Sequence, residues 1–277
     1  VLHATISIVS FRQKDLLERC LDAITRLALP NTWQVIVVDN NSGDGSARMV
    51  KRRYPFVKLL ALKQNTGYAA GHNAAFARTT SPFFIVLNPD VIVLPGSLET
   101  LVRTLESFPN TAIAGPCLLN PDGSLQFSAR RFYNWYTVLC RRLPVPGRKK
   151  VNDLHLMKDH THDQILCVDW VLGAAMAVRT SAFDGNELFD TRYRLYFEDV
   201  DLCYFAQKRG WDVIYCPQSK MIHEHQRASA TNPFCSAAIK HLVSWLKFYQ
   251  KTKNYDSQTC TTATPNSTAL FGKFRDQ

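Results

Sequence analysis

Over the first 110 residues the apolar positions alternate between two periods. "ATISIVSF" (4–11) and "WQVIVVDN" (33–40) are near-continuous apolar runs, the pattern of strands buried on both faces. Between them "KDLLERCLDAITRL" sets Leu16, Leu17, Cys20, Leu21, Ile24 and Leu27 at helical spacing. The alternation continues with helix "GSARMVKRRY", strand "VKLLAL", helix "GYAAGHNAAFART", strand "FFIVLNPD" and helix "PGSLETLVRTLESF", which Pro95 opens. Such a rhythm predicts an α/β fold of βαβ units around a mostly parallel, Rossmann-like sheet flanked by helices.

From Thr111 the pattern changes. "TAIAGPCLLNPDGSLQF" reads as two strands joined at the turn "NPDG". Residues 129–166 are irregular, "CVDWVLGAAMAVRTSAF" is strand-like, and a short helix runs from Val200 to a stop at Gly210. The strand "WDVIYCP", the segment "KMIHEHQ" and the helix "AIKHLVSWLKFYQ" complete the second half, and a Ser/Thr-rich tail follows. The expected division is a first half at 1–110, a mixed second half of the same domain at 111–252, and a disordered tail at 253–277.

Composition narrows the class. With 46% hydrophobic and 20% charged residues in 277, the chain has a substantial core. No apolar run approaches the ~18 residues of a membrane span, and no signal-peptide pattern opens the chain. Eight cysteines are scattered without a C-x-x-C pair, which argues against a zinc site and for a reducing, cytoplasmic setting. A net charge of +10 suits polyanionic partners, whether nucleic acid, anionic lipid or phosphorylated small molecules.

The chemistry-bearing residues fall where an open parallel sheet binds ligands, beyond the carboxyl ends of its strands. Asp39 is the first residue out of the second apolar run, placed to accept a hydrogen bond from a ligand such as a pyrimidine; a helix cap explains Ser42, Asp44 and Ser46 instead. "NTGYAAGHNAAF" puts Gly67, Ala69, Ala70 and Gly71 at a helix start that admits phosphate. Asp90, in "LNPDVIV", is suited to Mg²⁺ or Mn²⁺, and an Asn-Pro-Asp turn is the plain alternative. His223 follows a strand and is either a further ligand or a structural histidine. Glu198, Asp199 and Asp201 stand behind the aromatic run "YRLYF"; the dipole of a helix start accounts for one or two of them, not three.

In order, "SIVSFRQKDLLERCLDAI", "VIVVDNNSGDGS", "NTGYAAGHNAAF", "LNPDVIV", "WVLGAAMAVRTSAF", "YFEDVDLCYFAQKRGWDVIYCP" and "MIHEH" resemble the inverting family 2 glycosyltransferases of the GT-A fold, in particular their rhamnosyltransferase-like branch. The resemblance implies transfer of a sugar, L-rhamnose from dTDP-L-rhamnose in that branch, to a hydroxyl of a glycan or lipid-linked saccharide. It implies that Ser10 and Asp39 hold the nucleoside, that Asn65, Gly67 and Asn73 line the nucleotide-sugar, and that Asp90 binds a divalent metal, Mg²⁺ or Mn²⁺, on the diphosphate. Asp199 becomes the general base with Glu198 beside it, and Trp170, Gly173 and Ala174 lie near sugar and acceptor. Two departures stand out: Asn88 replaces an acid two positions before Asp90, and "HEHQ" lacks the glycine often found after such histidines, which weakens His223 as a ligand.

The segment 130–150 interleaves Arg and Lys with Phe132, Tyr133, Trp135 and Tyr136, the composition of a peripheral contact with the inner face of the cell membrane or of a solvated basic loop over an aromatic patch. The competing readings are a transferase using a UDP-hexose and a non-enzymatic nucleic-acid-binding protein. The second leaves the acids at the strand ends unexplained, so no nucleic-acid partner is expected; oligomer formation stays open.

Overall fold

The computed structural model describes residues 1–142, 146–185, 187–224 and 236–262. The first half follows the predicted alternation: β1 (Ala4–Ser10), α1 (Lys14–Arg26), β2 (Trp33–Asp39), α2 (Ser46–Arg53), β3 (Val57–Ala61), α3 (Tyr68–Phe76), β4 (Phe83–Leu87), β5 (Val91–Val93) and α4 (Ser97–Ser107). The second half holds β6 (Thr111–Leu119), β7 (Leu125–Gln126), β8 (Ala129–Arg130), α5 (Trp135–Arg142), α6 (Arg148–His155), β9 (Leu166–Cys167), β10 (Trp170–Val171), β11 (Ala175–Arg179), α7 (Glu198–Lys208), β12 (Asp212–His223) and α8 (Ser236–Thr262).

One sheet runs through both halves in the order β3-β2-β1-β4-β11-β6-β12-β5. β1 to β4 are mutually parallel, β12 is parallel to β6, and β11 is inserted antiparallel between β4 and β6. A separate ribbon pairs β8 with β10, setting Arg130 opposite Trp170.

Both faces of the sheet are covered, which is why β2 reads as a continuous apolar run. Ile6 and Ile8 point to one face and share its core with Leu17, Leu21 and Ile24 of α1; Leu98, Leu101 and Leu105 extend that core from α4, which lies over β6, β11 and β12. The other face of β1 carries Thr5, Ser7 and Val9 under α3. Thr5 bonds the hydroxyls of Ser81 and Thr79 at 2.8 and 2.7 Å, and Ser7 bonds His72 Nδ1 at 2.8 Å. The two elements touch so closely that a Cβ on Gly71 would lie 2.7 Å from Val9.

Three elements depart from the expectation. Within residues 129–166, expected to be irregular, β8, α5 and α6 form, while 156–165 are turns and bends. "WDVIYCP" and "KMIH" are one strand, β12, which passes the Cys216–Lys220 irregularity without ending. The last helix continues through 253–262, where a disordered tail was expected; Tyr255 packs edge-on against Phe205, so tertiary contact extends a helix whose polar sequence gives little sign of it. Residues 263–277 lie outside the described part of the chain.

Candidate active site

A cavity of about 570 Å³ opens beyond the strand ends, and Asp90, Gly173, Ala174, Glu198, Asp199 and His223 all line it. These residues come from four separate elements, and local backbone geometry aims each of them.

The acidic pair begins α7. Tyr196 and Phe197, immediately before it, both adopt positive φ, 67° and 73°. For side chains of this size that conformation costs ~1–3 kcal/mol each and persists only where packing enforces it. Here it does: Phe197 is buried against Tyr133, His241 and Phe248, and Tyr196 rests on His241. The enforced turn starts α7 with both carboxylates at the cavity wall. The third acid faces the other way: Asp201 accepts from Tyr193 Oη at 2.9 Å and Lys251 Nζ at 2.6 Å, and is structural.

The two cavity acids differ sharply. Asp199 accepts the Gly173 and Val200 amides, both at 2.9 Å. Burial raises its pKa, while those amides and the charge of Arg130 pull it back. Glu198 is buried, its Oε2 has no hydrogen-bond partner, and burial first, then the charge of Asp199, pushes its pKa up to about 8. Both carboxyls are raised by burial; the amides and Arg130 favour the charged form of Asp199, whereas Glu198 is the member on which burial favours the proton.

Asp90 and His223 meet through sheet register. β5 starts one residue after Asp90 and pairs antiparallel with the end of β12, setting His223 opposite Val91. His223 Nε2 then lies 3.5 Å from Asp90 Oδ1, an atom with no hydrogen-bond partner. His223 Nδ1 is 2.6 Å from Gln126 Oε1, an acceptor, so Nδ1 carries the proton. An imidazole nitrogen and a carboxylate oxygen 3.5 Å apart are groups that one divalent metal can take together, so the pair fits such an ion. Among the described residues no group of three or more His, Cys, Asp or Glu converges in this way; a metal held here would take its other ligands from diphosphate and water.

The two residues expected to hold a nucleoside line neither cavity, but they sit beside a second one. Ser10 and Asp39 are register partners at the ends of β1 and β2; both are buried, and Ser10 Oγ and Asp39 Oδ1 lack partners. Their neighbours Val9, Phe11 and Asn40 line a second cavity of about 660 Å³, as do Asn65 and Gly67. Gly67, at φ 88°, turns the chain into α3, and Asn65 Oδ1 accepts its amide at 2.9 Å. Tyr68 borders both cavities and donates to the Gly173 carbonyl at 2.5 Å.

Two expected residues are placed otherwise. Asn73 lines neither cavity: its Nδ2 donates to the Phe189 carbonyl at 2.7 Å, and its Oδ1 accepts the Leu188 and Phe189 amides at 3.0 and 2.8 Å. With both amide atoms committed to backbone, it clamps a loop instead of a ligand. Trp170 is buried beneath the site, its Nε1 donating to the Arg131 carbonyl and its ring carrying Arg130 at 5.2 Å. Conversely, Tyr68, Arg130 and Gln126 belong to the site although the sequence reading passed over their roles. Only pairing between distant segments brings them in.

Comparison with known proteins followed from this geometry. The "Glycosyl transferase family 2" profile matches residues 5–165. The chain is 30% identical over 246 residues to N-acetylglucosaminyl-diphospho-decaprenol L-rhamnosyltransferase of Mycobacterium tuberculosis, covering 83% of this chain and 78% of that protein. It is 27% identical over 257 residues to rhamnosyltransferase WbbL of Escherichia coli, covering 88% and 91%. Among solved structures it is similar to the mannosyltransferase PcManGT of Pyrobaculum calidifontis in complex with GDP-Man and Mn²⁺, with TM-score 0.58 and 18% identity over 82% of this chain. It is also similar to GalNAc-T7 with UDP, GalNAc and Mn²⁺, with TM-score 0.64 and 13% identity over 90% of this chain. The chain spans 58% and 48% of those two structures, which share its fold.

Proposed function

The chain belongs to glycosyl transferase family 2, and from that premise we propose that it transfers L-rhamnose from dTDP-L-rhamnose, with inversion, to a hydroxyl of a lipid-linked saccharide. The observation that carries this reading is convergence. One amide-aimed carboxylate and one metal-suited pair line one cavity, and the chain neighbours of the unsatisfied Ser10–Asp39 pair line the next. The sugar and acceptor follow the two rhamnosyltransferases to which the chain is similar, one of them named for a diphospho-decaprenol substrate.

In this reading Ser10 and Asp39 hydrogen-bond the nucleoside, and the Gly67 turn lets the donor approach the start of α3. Asp90 and His223 would hold Mg²⁺ or Mn²⁺, which neutralises charge growing on the departing diphosphate. Asp199, aimed by the Gly173 amide, takes the proton from the acceptor hydroxyl as its oxygen attacks the anomeric carbon. The bond from that carbon to the diphosphate oxygen breaks on the opposite face. Glu198, protonated, adds no second negative charge beside the base. A lipid-linked acceptor also brings the chain to a membrane surface.

The test is thermal stability with dTDP, UDP, GDP and ADP, each with and without Mn²⁺. Ligand at about 100 times its dissociation constant adds roughly 2.7 kcal/mol. A metal-dependent shift with dTDP alone is expected, followed by turnover of dTDP-L-rhamnose. A shift confined to UDP would replace the donor with a UDP-hexose. No shift with any nucleotide would overturn the reading.

A further inference from the structure

The inner face of α8 is fixed by several contacts. Ser244 Oγ donates to the Leu195 carbonyl at 2.9 Å, Phe248 is buried against Phe197 and Tyr204, and Lys251 Nζ bonds Asp190 and Asp201 at 2.8 and 2.6 Å. With the helix held in that rotation, Ile239, Leu242, Val243, Leu246 and Tyr249 face outward. They are exposed by 58%, 39%, 44%, 50% and 54%. Their spacing of three or four residues makes them one continuous stripe. Five large apolar side chains in a row are not the scattered exposure of an ordinary surface.

The polar residues beside the stripe share one sign. Lys240, Lys247 and Lys253 are exposed, and no Asp or Glu occurs between Ser236 and Tyr255. An apolar stripe with lysines at its sides is the make-up of a helix lying in a membrane interface. The helix does not cross: among the described residues no helix is long and apolar enough to span a bilayer.

The sequence pointed elsewhere for this contact, to residues 130–150. There the structure turns Phe132 and Tyr133 inward and leaves Trp135 exposed, a single ring and not a stripe. Tyr133 packs on His155, Trp170 and Phe197, Phe132 packs on Tyr204, and Arg131 is paired with Asp159 at 2.7 Å.

We propose that the outer face of α8 is the surface by which this protein docks on an anionic lipid bilayer, with the stripe from Ile239 to Tyr249 entering the headgroup region and the flanking lysines against the lipid charge. The inference rests on the lipid-linked acceptor reading, and placement agrees with it. Ile239 and Val243 also form part of the wall of the second cavity, so a bilayer under α8 lies beside the site. A second copy of the chain is the weaker occupant, because two such faces brought together set lysines against lysines with no acid between Ser236 and Tyr255 on either helix.

Sedimentation of the full chain with vesicles of phosphatidylcholine alone, and of phosphatidylcholine with phosphatidylglycerol, tests this. Binding is expected to the anionic vesicles and to fall on adding salt. Leu242→Glu/Leu246→Glu alters two side chains that line neither cavity; it is expected to lower vesicle partition by about tenfold or more and leave Tm and transfer to a detergent-free, short-chain acceptor unchanged. Wild-type protein that stays in the supernatant, or a variant that binds as well as wild type, overturns the proposal. So does wild-type dimer that becomes monomer in the variant without loss of vesicle binding. The two readings fail separately: transfer without vesicle binding discards the surface and keeps the enzyme, and vesicle binding without nucleotide-dependent stabilisation discards the enzyme and keeps the surface.

Discussion

The donor side and the catalytic side of the site are built by opposite means. Ser10, Asp39 and Asp90 simply leave parallel strands at their carboxyl ends, and regular topology gathers them. Glu198 and Asp199 reach the same cavity because two consecutive residues, Tyr196 and Phe197, are held at positive φ by aromatic packing from Tyr133, ahead of α5, and from α8. His223 arrives by a third route, a strand that crosses an irregularity and then pairs with β5. The binding half can form from local order, whereas the catalytic half depends on the whole second half of the chain being folded. In the proposed reading, chemistry is thus coupled to the tertiary structure more tightly than donor binding is.

Four substitutions probe that division. Asp199→Asn keeps the Gly173 contact in outline and removes the base; turnover is expected to fall about 10²–10⁴-fold while nucleotide-induced stabilisation persists. Equal losses in both would make Asp199 part of the donor cradle. Asp90→Ala should abolish the Mn²⁺-dependent part of that stabilisation, and calorimetric titration of Mn²⁺ with dTDP present reads it directly. Unchanged metal response would place the metal elsewhere.

Asn73→Ala strips three backbone groups of their partner, at roughly 1–3 kcal/mol for each group left unsatisfied. A fall in Tm of several degrees is expected with the donor KM unchanged; a raised KM at normal Tm would return Asn73 to the ligand. The smallest effect concerns Glu198. Its folded pKa of about 8 lies above the ordinary carboxylate value, so the folded state binds the proton more tightly than the unfolded chain does. Its cost to stability is therefore absent below pH ~4.5, grows as pH rises through the window up to about 8, and then levels off. Glu198→Gln should raise Tm at pH 8 and change it little at pH 5. The reverse order would mean that Glu198 is ionised and paired.

Much of the site was legible because its residues sit where the sequence announces an edge. Asp39 ends an apolar run, Gly67 precedes a helix, Asp90 follows a strand, and Glu198–Asp199 break an aromatic stretch. Asn73 misled because a buried amide in a helix looks the same whether its partner is ligand or backbone. Gln126 and Arg130 carried no local signal: each matters through one partner, His223 or Asp199, that is far away in sequence.

The sequence by itself determined the alternating α/β order, the parallel core and the strand-end acids, since burial on both faces and ligand access at strand exits are written in short-range periodicity. Only the tertiary structure decided that Glu198 and Asp199 have different partners, that His223 faces Asp90, that Asp201 is structural, and which face of α8 is left apolar and uncovered. Each of those depends on burial and charge supplied by residues tens to hundreds of positions away, and periodicity within a segment carries no record of them.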